Sequence, residues 1–182
     1  MIERELKIPV TGLDGVRERL ADAGATRLTP PEREVNLLFD TGDGRLAAAG
    51  EVLRVRQRGQ ATILTFKGPA SYRGPVKERR EIELEVGSRE RLVELFGALG
   101  YELRMRYDKD RESWTLDGIK VELDRTPMGD FVELEGRSEA LEAAARRIGL
   151  DPEAAVAGSY VGLWSEHRRR HPDLGRDMVF ER

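Results

Sequence analysis

Carboxylates and cations recur at alternate positions of this chain. Glu3 and Glu5, Glu122 and Asp124, and Glu133 and Glu135 are acidic pairs separated by one residue; Arg54 and Arg56, and Lys109 and Arg111, are basic ones. In a strand, residues i and i+2 point to one face at about 7 Å spacing. Clustered carboxylates repel and raise one another's pKa unless a cation neutralises them. Oxygen ligands without cysteine or an inward histidine suit the hard ions Mg²⁺ or Mn²⁺. Arginine grips phosphate oxygens with a planar fork, whereas lysine acts as a point charge. Lys7, Arg54, Arg56, Lys67, Lys109 and Arg111 therefore read as the basic side of a site for a polyphosphate. The plainer reading of the acidic pairs is neutralisation by nearby Arg and Lys, and both are expected together.

Other chemistries find little support. The chain has neither G-x-x-x-x-G-K-[ST] nor G-x-G-x-x-G, so phosphate recognition must use side chains on strands. Both histidines fall in His167-Arg-Arg-Arg-His171, which reads as a solvated basic helix end rather than a metal pair or part of a Ser-His-Asp arrangement.

The elements that must position these residues follow from the same alternation. Apolar residues fill the gaps: Leu6 and Ile8, Leu53 and Val55, Leu64 and Phe66, Ile82 and Leu84, Val121 and Leu123, Val132 and Leu134. Each segment reads as a strand with one apolar and one charged face. An antiparallel sheet with one wet face would explain any single segment. As a set, the faces select Glu, Asp, Arg and Lys almost exclusively, and several amphipathic helices are available to cover the apolar side. A closed sheet around a hydrated, charged tunnel fits better, because interior charges persist only when paired, hydrated or ion-bound.

The expected strands are Ile2–Val10, Val35–Phe39, Glu51–Gln57, Thr62–Lys67, Glu78–Val86, Lys109–Leu116, Ile119–Asp124 and Phe131–Glu135. Asp117-Gly118 is a two-residue hairpin signal. Helices are expected around Val16 and Leu20, from the Ser88 cap to Gly100, and from Ser138 to Gly149. A helical C-terminal segment is expected at about 151–170, with a tail, 171–182, left unassigned. Gly68–Pro75 reads as a loop, and its Tyr72 could stack on a base. A strand, helix and glycine recur from Glu3, Glu81 and Phe131 at unequal periods, which suits a pseudo-symmetric closed sheet, not a solenoid.

The 182 residues suit one domain. With 31 basic and 34 acidic side chains, the net charge of -3 lacks the basic excess of a nucleic-acid binder. No cysteine is present, which excludes disulfides and thiolate sites and is compatible with the cytoplasmic location expected here. Residues 1–8 read as a charged strand rather than a signal peptide, and no stretch suits a bilayer span.

Glu3-x-Glu5-x-Lys7 resembles the ExExK signature of the CYTH superfamily, the triphosphate tunnel metalloenzymes. The likeness continues in order through Leu53-Arg-Val-Arg56, Leu64-Thr-Phe-Lys-Gly-Pro69, Arg80-Glu-Ile-Glu83, Lys109-Asp-Arg111, Val121-Glu-Leu-Asp124, Gly129-Asp-Phe-Val-Glu-Leu-Glu135 and Ser159-Tyr160. The resemblance implies an α+β fold: one domain over 1–182 built on a closed eight-stranded antiparallel barrel with helices packed outside. It implies that Glu3, Glu5, Asp124, Glu133 and Glu135 bind one or two Mg²⁺ or Mn²⁺, and that Lys7, Arg54, Arg56, Lys67, Lys109 and Arg111 hold the triphosphate. Glu5, Lys7, Arg56 and Asp124 are the expected catalytic group; Glu81 and Glu83 match a further acidic strand of unassigned role. The 64–69 and 129–135 stretches look most like the class IV adenylate cyclase branch, which converts ATP to cyclic AMP and pyrophosphate. The alternatives are a triphosphatase acting on tripolyphosphate, thiamine triphosphate or a nucleotide, and a non-enzymatic polyphosphate binder. No nucleic-acid or membrane partner is expected; the outer helices leave room for a homodimer.

Overall fold

In the first strand, β1 (Ile2–Val10), Leu6 and Ile8 pack into an apolar layer, while Glu3, Glu5 and Lys7 line a central cavity. The same division holds around the sheet. The strands that follow are β2 (Thr26–Thr41), β3 (Val52–Arg58), β4 (Ala61–Arg73), β5 (Val76–Val86), β6 (Tyr101–Leu116), β7 (Ile119–Thr126) and β8 (Gly129–Glu135). In this computed structural model, which describes residues 2–181, the strands close into an antiparallel barrel in the order β1-β5-β4-β3-β2-β6-β7-β8. Closure joins the first strand to the last and gives the charged faces an interior to share.

Two apolar clusters cover the outside. Leu6, Ile8, Val121, Leu123, Val132 and Leu134 are at most 2% exposed beneath helices α1 (Asp14–Asp22) and α4 (Ser138–Arg147), which contribute Val16, Leu20, Leu141 and Ala145. Each such leucine contributes about 2 kcal/mol of burial free energy. On the opposite side, α3 (Arg89–Ala98) lays Phe96 on Phe39 and Val55; the Ser88 hydroxyl caps it by accepting from the Arg91 amide. A one-turn helix, α2 (Arg45–Ala48), is anchored by Asp40, whose carboxylate accepts from the amides of Thr41, Leu46 and Ala47.

The hairpin at Asp117-Gly118 forms as expected: both residues take positive φ (50° and 78°) and Leu116 faces Ile119. Other boundaries differ. Gly68–Pro75 is not a loop; β4 runs on to Arg73 and β5 starts at Val76. Gly68 and Pro69 sit at a register shift between Lys67 and Ala70, a bulge that tolerates a proline lacking an amide donor. β2 reaches back to Thr26, through register shifts around Thr29 that absorb Pro30 and Pro31, and β6 reaches back to Tyr101. The 151–170 segment is helical only in part: a 3-10 turn at Pro152–Ala154, an extended stretch whose Val156 amide bonds the Lys7 carbonyl, then α5 (Tyr160–Arg170). Unlike the outer helices, α5 places Tyr160 and Trp164 against Met105, Tyr107 and Phe131. Among the described residues, no helix is long and apolar enough to cross a membrane.

Candidate active site

The barrel interior holds a cavity of about 1190 Å³. Glu3, Glu5, Lys7, Arg54, Arg56, Lys67, Lys109, Arg111, Glu133 and Glu135 all line it, so every residue expected at the site except Asp124 borders one space. Asp124 sits behind the lining, 0% exposed, and accepts from Lys109 at 2.9 Å, from Arg111 Nε at 2.6 Å and from the Tyr160 hydroxyl at 2.6 Å. Its oxygens are occupied by these donors. It therefore orients the two cations and lies outside both carboxylate groups described next.

Glu3, Glu5 and Glu135 each bring a carboxylate oxygen within 4.8 Å of the others; Glu122, Glu133 and Glu135 do the same. The two groups differ in what already fills them. Arg111 threads the second, pairing with both Glu122 and Glu133 as well as Asp124. The first is paired with lysines: Lys67 on Glu3 at 3.0 Å, Lys77 and Lys7 on Glu5 at 2.7 and 3.7 Å, and Lys120 on Glu135 at 3.5 Å.

Proton affinities are raised at two carboxyls of the cavity, first by burial and then by neighbouring carboxylates. Burial, reinforced by the Glu122 charge, pushes Glu135 up to about 7. Burial and the hydrogen bond with Glu3 push Glu81 up to about 8, while Glu3 falls to about 2: burial opposes that fall, but Glu81 and Lys67 outweigh it. A carboxylate cluster that must take up a proton near neutrality is one that a divalent cation relieves. The Glu3–Glu5–Glu135 group fits such an ion; the Arg111-filled group does not without displacing the guanidinium.

The cationic wall is held charged. Burial works against the Lys7 ammonium, but Glu133 at 3.1 Å and Glu5 raise it above the ordinary lysine value. Glu133 is in turn held well below the carboxylate range, burial notwithstanding, by Lys7, Arg111 and Lys109. Arg54 bonds Thr65 at 3.0 Å and approaches Glu81 and Glu83, placing that acidic strand beside the arginines. Arg56 donates to Asn36 at 3.1 Å.

Several residues escaped the sequence reading. Glu34 is 0% exposed, its carboxylate makes no hydrogen bond among the described residues, and it lies 3.4 Å from Arg56 and 3.8 Å from Lys109. Burial opposes its ionisation, yet Lys109, Arg111 and Arg56 lower it to about 2. Lys77 and Arg79 continue the inward face of β5. Arg79 donates to the Gly68 and Gly50 carbonyls, tying the β4 bulge to the loop before β3. Tyr160, noted only within Ser159-Tyr160, lies under Lys7 and Lys109, whose ammonium groups are 4.3 and 4.9 Å from its ring centre.

The family model for the CYTH domain matches residues 1–157, most of the chain. The chain belongs to the CYTH family. A Methanocaldococcus jannaschii protein, whose name proposes an adenylate cyclase, is 29% identical over 136 residues, 74% of this CYTH chain and 77% of its own. A Vibrio parahaemolyticus structure, also named as a proposed adenylate cyclase, superposes with a TM-score of 0.80 at 20% identity, covering 91% of this chain and 98% of that one. A Hippeastrum protein, described as a proposed adenylyl cyclase with a dominant triphosphatase activity, superposes with a TM-score of 0.67 at 18% identity, covering 91% and 96%. At those identities the two structures establish the shared fold.

Proposed function

We propose that this CYTH protein is a divalent-metal-dependent enzyme acting on triphosphates inside the barrel, of the adenylate cyclase-like type that converts ATP to cyclic AMP and pyrophosphate. The observation that carries the reading is one cavity in which Glu3, Glu5 and Glu135 converge opposite Lys7, Arg54, Arg56, Lys109 and Arg111. A pure anion binder would gain nothing from lining its site with carboxylates. Mg²⁺ or Mn²⁺ on Glu3, Glu5 and Glu135 would supply charge neutralisation at phosphoryl oxygens.

The arginines and lysines bind the triphosphate and hold it in line, and their positions are set before substrate arrives by Asp124 and Glu133. In the cyclase, the ribose 3′-oxygen bonds to the α-phosphorus, the bond from that phosphorus to the bridging oxygen breaks, and pyrophosphate leaves with its electron pair. The hydroxyl proton passes to solvent. The cavity volume accommodates a nucleoside as well as three phosphates, and the Methanocaldococcus jannaschii relative's name supports the same choice.

The second reading is a triphosphatase, in which water bonds to a terminal phosphorus, the bond from that phosphorus to the bridging oxygen breaks, and the diphosphate portion leaves, with orthophosphate as the other product. It is favoured by the activity described for the Hippeastrum protein, which shares the fold. Product analysis separates the two. With ATP and Mg²⁺ or Mn²⁺, cyclic AMP with pyrophosphate is expected; orthophosphate from ATP or tripolyphosphate with no cyclic product would make the protein a triphosphatase. No turnover of either would overturn the enzymatic reading.

A further inference from the structure

β6 has two edges, and only one is served by the barrel along its whole length. Arg106, Tyr107 and Asp108 pair with β2 on one side, but on the other the ladder with β7 begins at Asp110. The chain's C-terminal tail fills that gap. After α5 the backbone reverses and runs back along the helix. The Met178 amide donates to the Arg106 carbonyl at 3.0 Å, and the Met178 carbonyl accepts from the Asp108 amide at 2.8 Å, a parallel bridge beside Tyr107. The Arg106 amide donates to the Asp177 carboxylate. The Met178 side chain is 0% exposed within the cluster containing Tyr107, Phe131, Tyr160 and Trp164. Beyond it, Arg33 stacks on the Phe180 ring at 4.2 Å.

The same tail holds α5. The Trp164 indole donates to the Arg176 carbonyl at 2.9 Å, and Arg168 donates to the Leu174 carbonyl at 3.2 Å. One turn before Trp164 on that helix stands Tyr160, whose hydroxyl donates to Asp124, the carboxylate that orients Lys109 and Arg111. A continuous chain of contacts thus runs from a tail outside the CYTH match to the cationic wall.

We propose that Met178 is a positioning residue of the tunnel: by seating the tail on the open edge of β6, it holds α5 so that Tyr160 stays on Asp124. Catalytic relevance rests on the reading of the cavity as an active site; the docking itself does not. Without the seat, the indole and Arg168 lose their carbonyl partners, and α5 is retained by the packing of Tyr160, Val161, Leu163 and Trp164 and by the Tyr160–Asp124 hydrogen bond.

The test uses the full chain carrying Met178→Asp, Met178→Ala as the milder change should the first not fold, and Met178→Leu as the conservative control. Amide exchange is read at Asp108 and at Leu163, whose amide bonds the Ser159 carbonyl in the first turn of α5. Loss of the tail hydrogen bonds should speed exchange at both sites by about tenfold or more in the Asp or Ala variant and leave the Leu variant unchanged. Faster exchange at Asp108 alone would overturn the link to α5; no change at either would overturn the docking. In turnover, Met178→Ala should lower kcat more than it changes KM. Added to Tyr160→Phe, it should cause no further loss, because both act through one hydrogen bond. Additive losses would overturn the route through Tyr160. A wild-type protein inactive on ATP and tripolyphosphate would sink the active-site reading, while the exchange result would still decide the docking.

Discussion

The Lys77 ammonium of β5 donates to the Glu5 carboxylate of β1 at 2.7 Å, across the seam where the two strands pair in register. Glu5 belongs to the carboxylate group that fits a divalent ion, so Lys77 and the ion compete for one oxygen. Lys77→Gln should therefore tighten Mn²⁺ binding by roughly tenfold in the absence of substrate, since a unit charge a few ångströms away is removed. Calorimetric titration with Mn²⁺ alone reads this directly. Weaker binding in the variant would mean that Lys77 instead holds Glu5 in its binding orientation.

Glu5→Gln and Asp124→Asn should fail in different ways. Glu5→Gln should reduce metal-dependent turnover by about a hundredfold or more and lower the thermal midpoint less than Asp124→Asn does, because Lys7 keeps Glu133 as a partner. Asp124 is fully buried against Lys109, Arg111 and Tyr160, and neutralising it breaks two buried ion pairs at once, leaving Arg111 to Glu122 and Glu133 and Lys109 to Glu34 at 3.8 Å. That costs about 3–5 kcal/mol, or roughly 10 °C in Tm for a chain of this length. Turnover and a thermal melt on both variants decide it; equal melting temperatures would place Asp124 outside the structural network.

Glu34 and Arg56 lie 3.4 Å apart and should move triphosphate affinity in opposite directions. Arg56→Ala removes a phosphate donor and should weaken tripolyphosphate binding by about tenfold to a hundredfold, with little effect on the metal. Glu34→Gln removes the anion standing behind Arg56 and Lys109 and should strengthen binding by several-fold, slowing product release. Calorimetry with tripolyphosphate gives both signs; weakened binding in Glu34→Gln would assign Glu34 to holding the arginine's geometry.

Asp40 links stability to acid. Burial would raise its pKa, but the Ala47, Leu46 and Thr41 amides that donate to it hold it below the ordinary aspartate value. A carboxylate whose folded pKa is depressed stabilises the fold above its unfolded value of about 3.9, and the contribution is lost as pH falls through the lower folded value. Asp40→Asn should cost about 1 kcal/mol at pH 7 and shrink toward no difference near pH 2. Urea melts at both pH values test this, and a difference that grows with acidity would refute it.

How much of this was legible in the sequence depended on whether alternation was interrupted. Glu3-x-Glu5-x-Lys7 and Arg54-x-Arg56 alternate with apolar residues, so their strand and inward face were readable at once. Lys77-x-Arg79 belongs to the same inward row as Glu81 and Glu83; Arg79 falls inside the expected strand Glu78–Val86, but the Gly-Pro-Ser-rich stretch before it, in which β4 continues through a bulge, hid the start of β5 and with it Lys77. Glu34 was hidden similarly: Pro30 and Pro31 break the pattern of β2, and Asn36 replaces a charge on its inward face. Tyr160 carries no periodic signal, because its role depends on where α5 crosses the barrel, which only long-range packing decides. Asp124 reads from its spacing as one of the charged residues, but spacing alone gives no measure of how Lys109, Arg111 and Tyr160 occupy it.

The ladder that joins β1 to β8 pairs Lys7 with Glu133 and Glu5 with Glu135. The convergent carboxylates thus come from the first strand made and the last. A chain emerging from the ribosome carries Glu3 and Glu5 long before it has synthesised Glu135, so this carboxylate group is incomplete until the last strand pairs. Distant pairings of this kind form late and slowly. Divalent-ion affinity should therefore appear in one step with ring closure, making the ion a reporter of the moment at which the two ends of the domain meet.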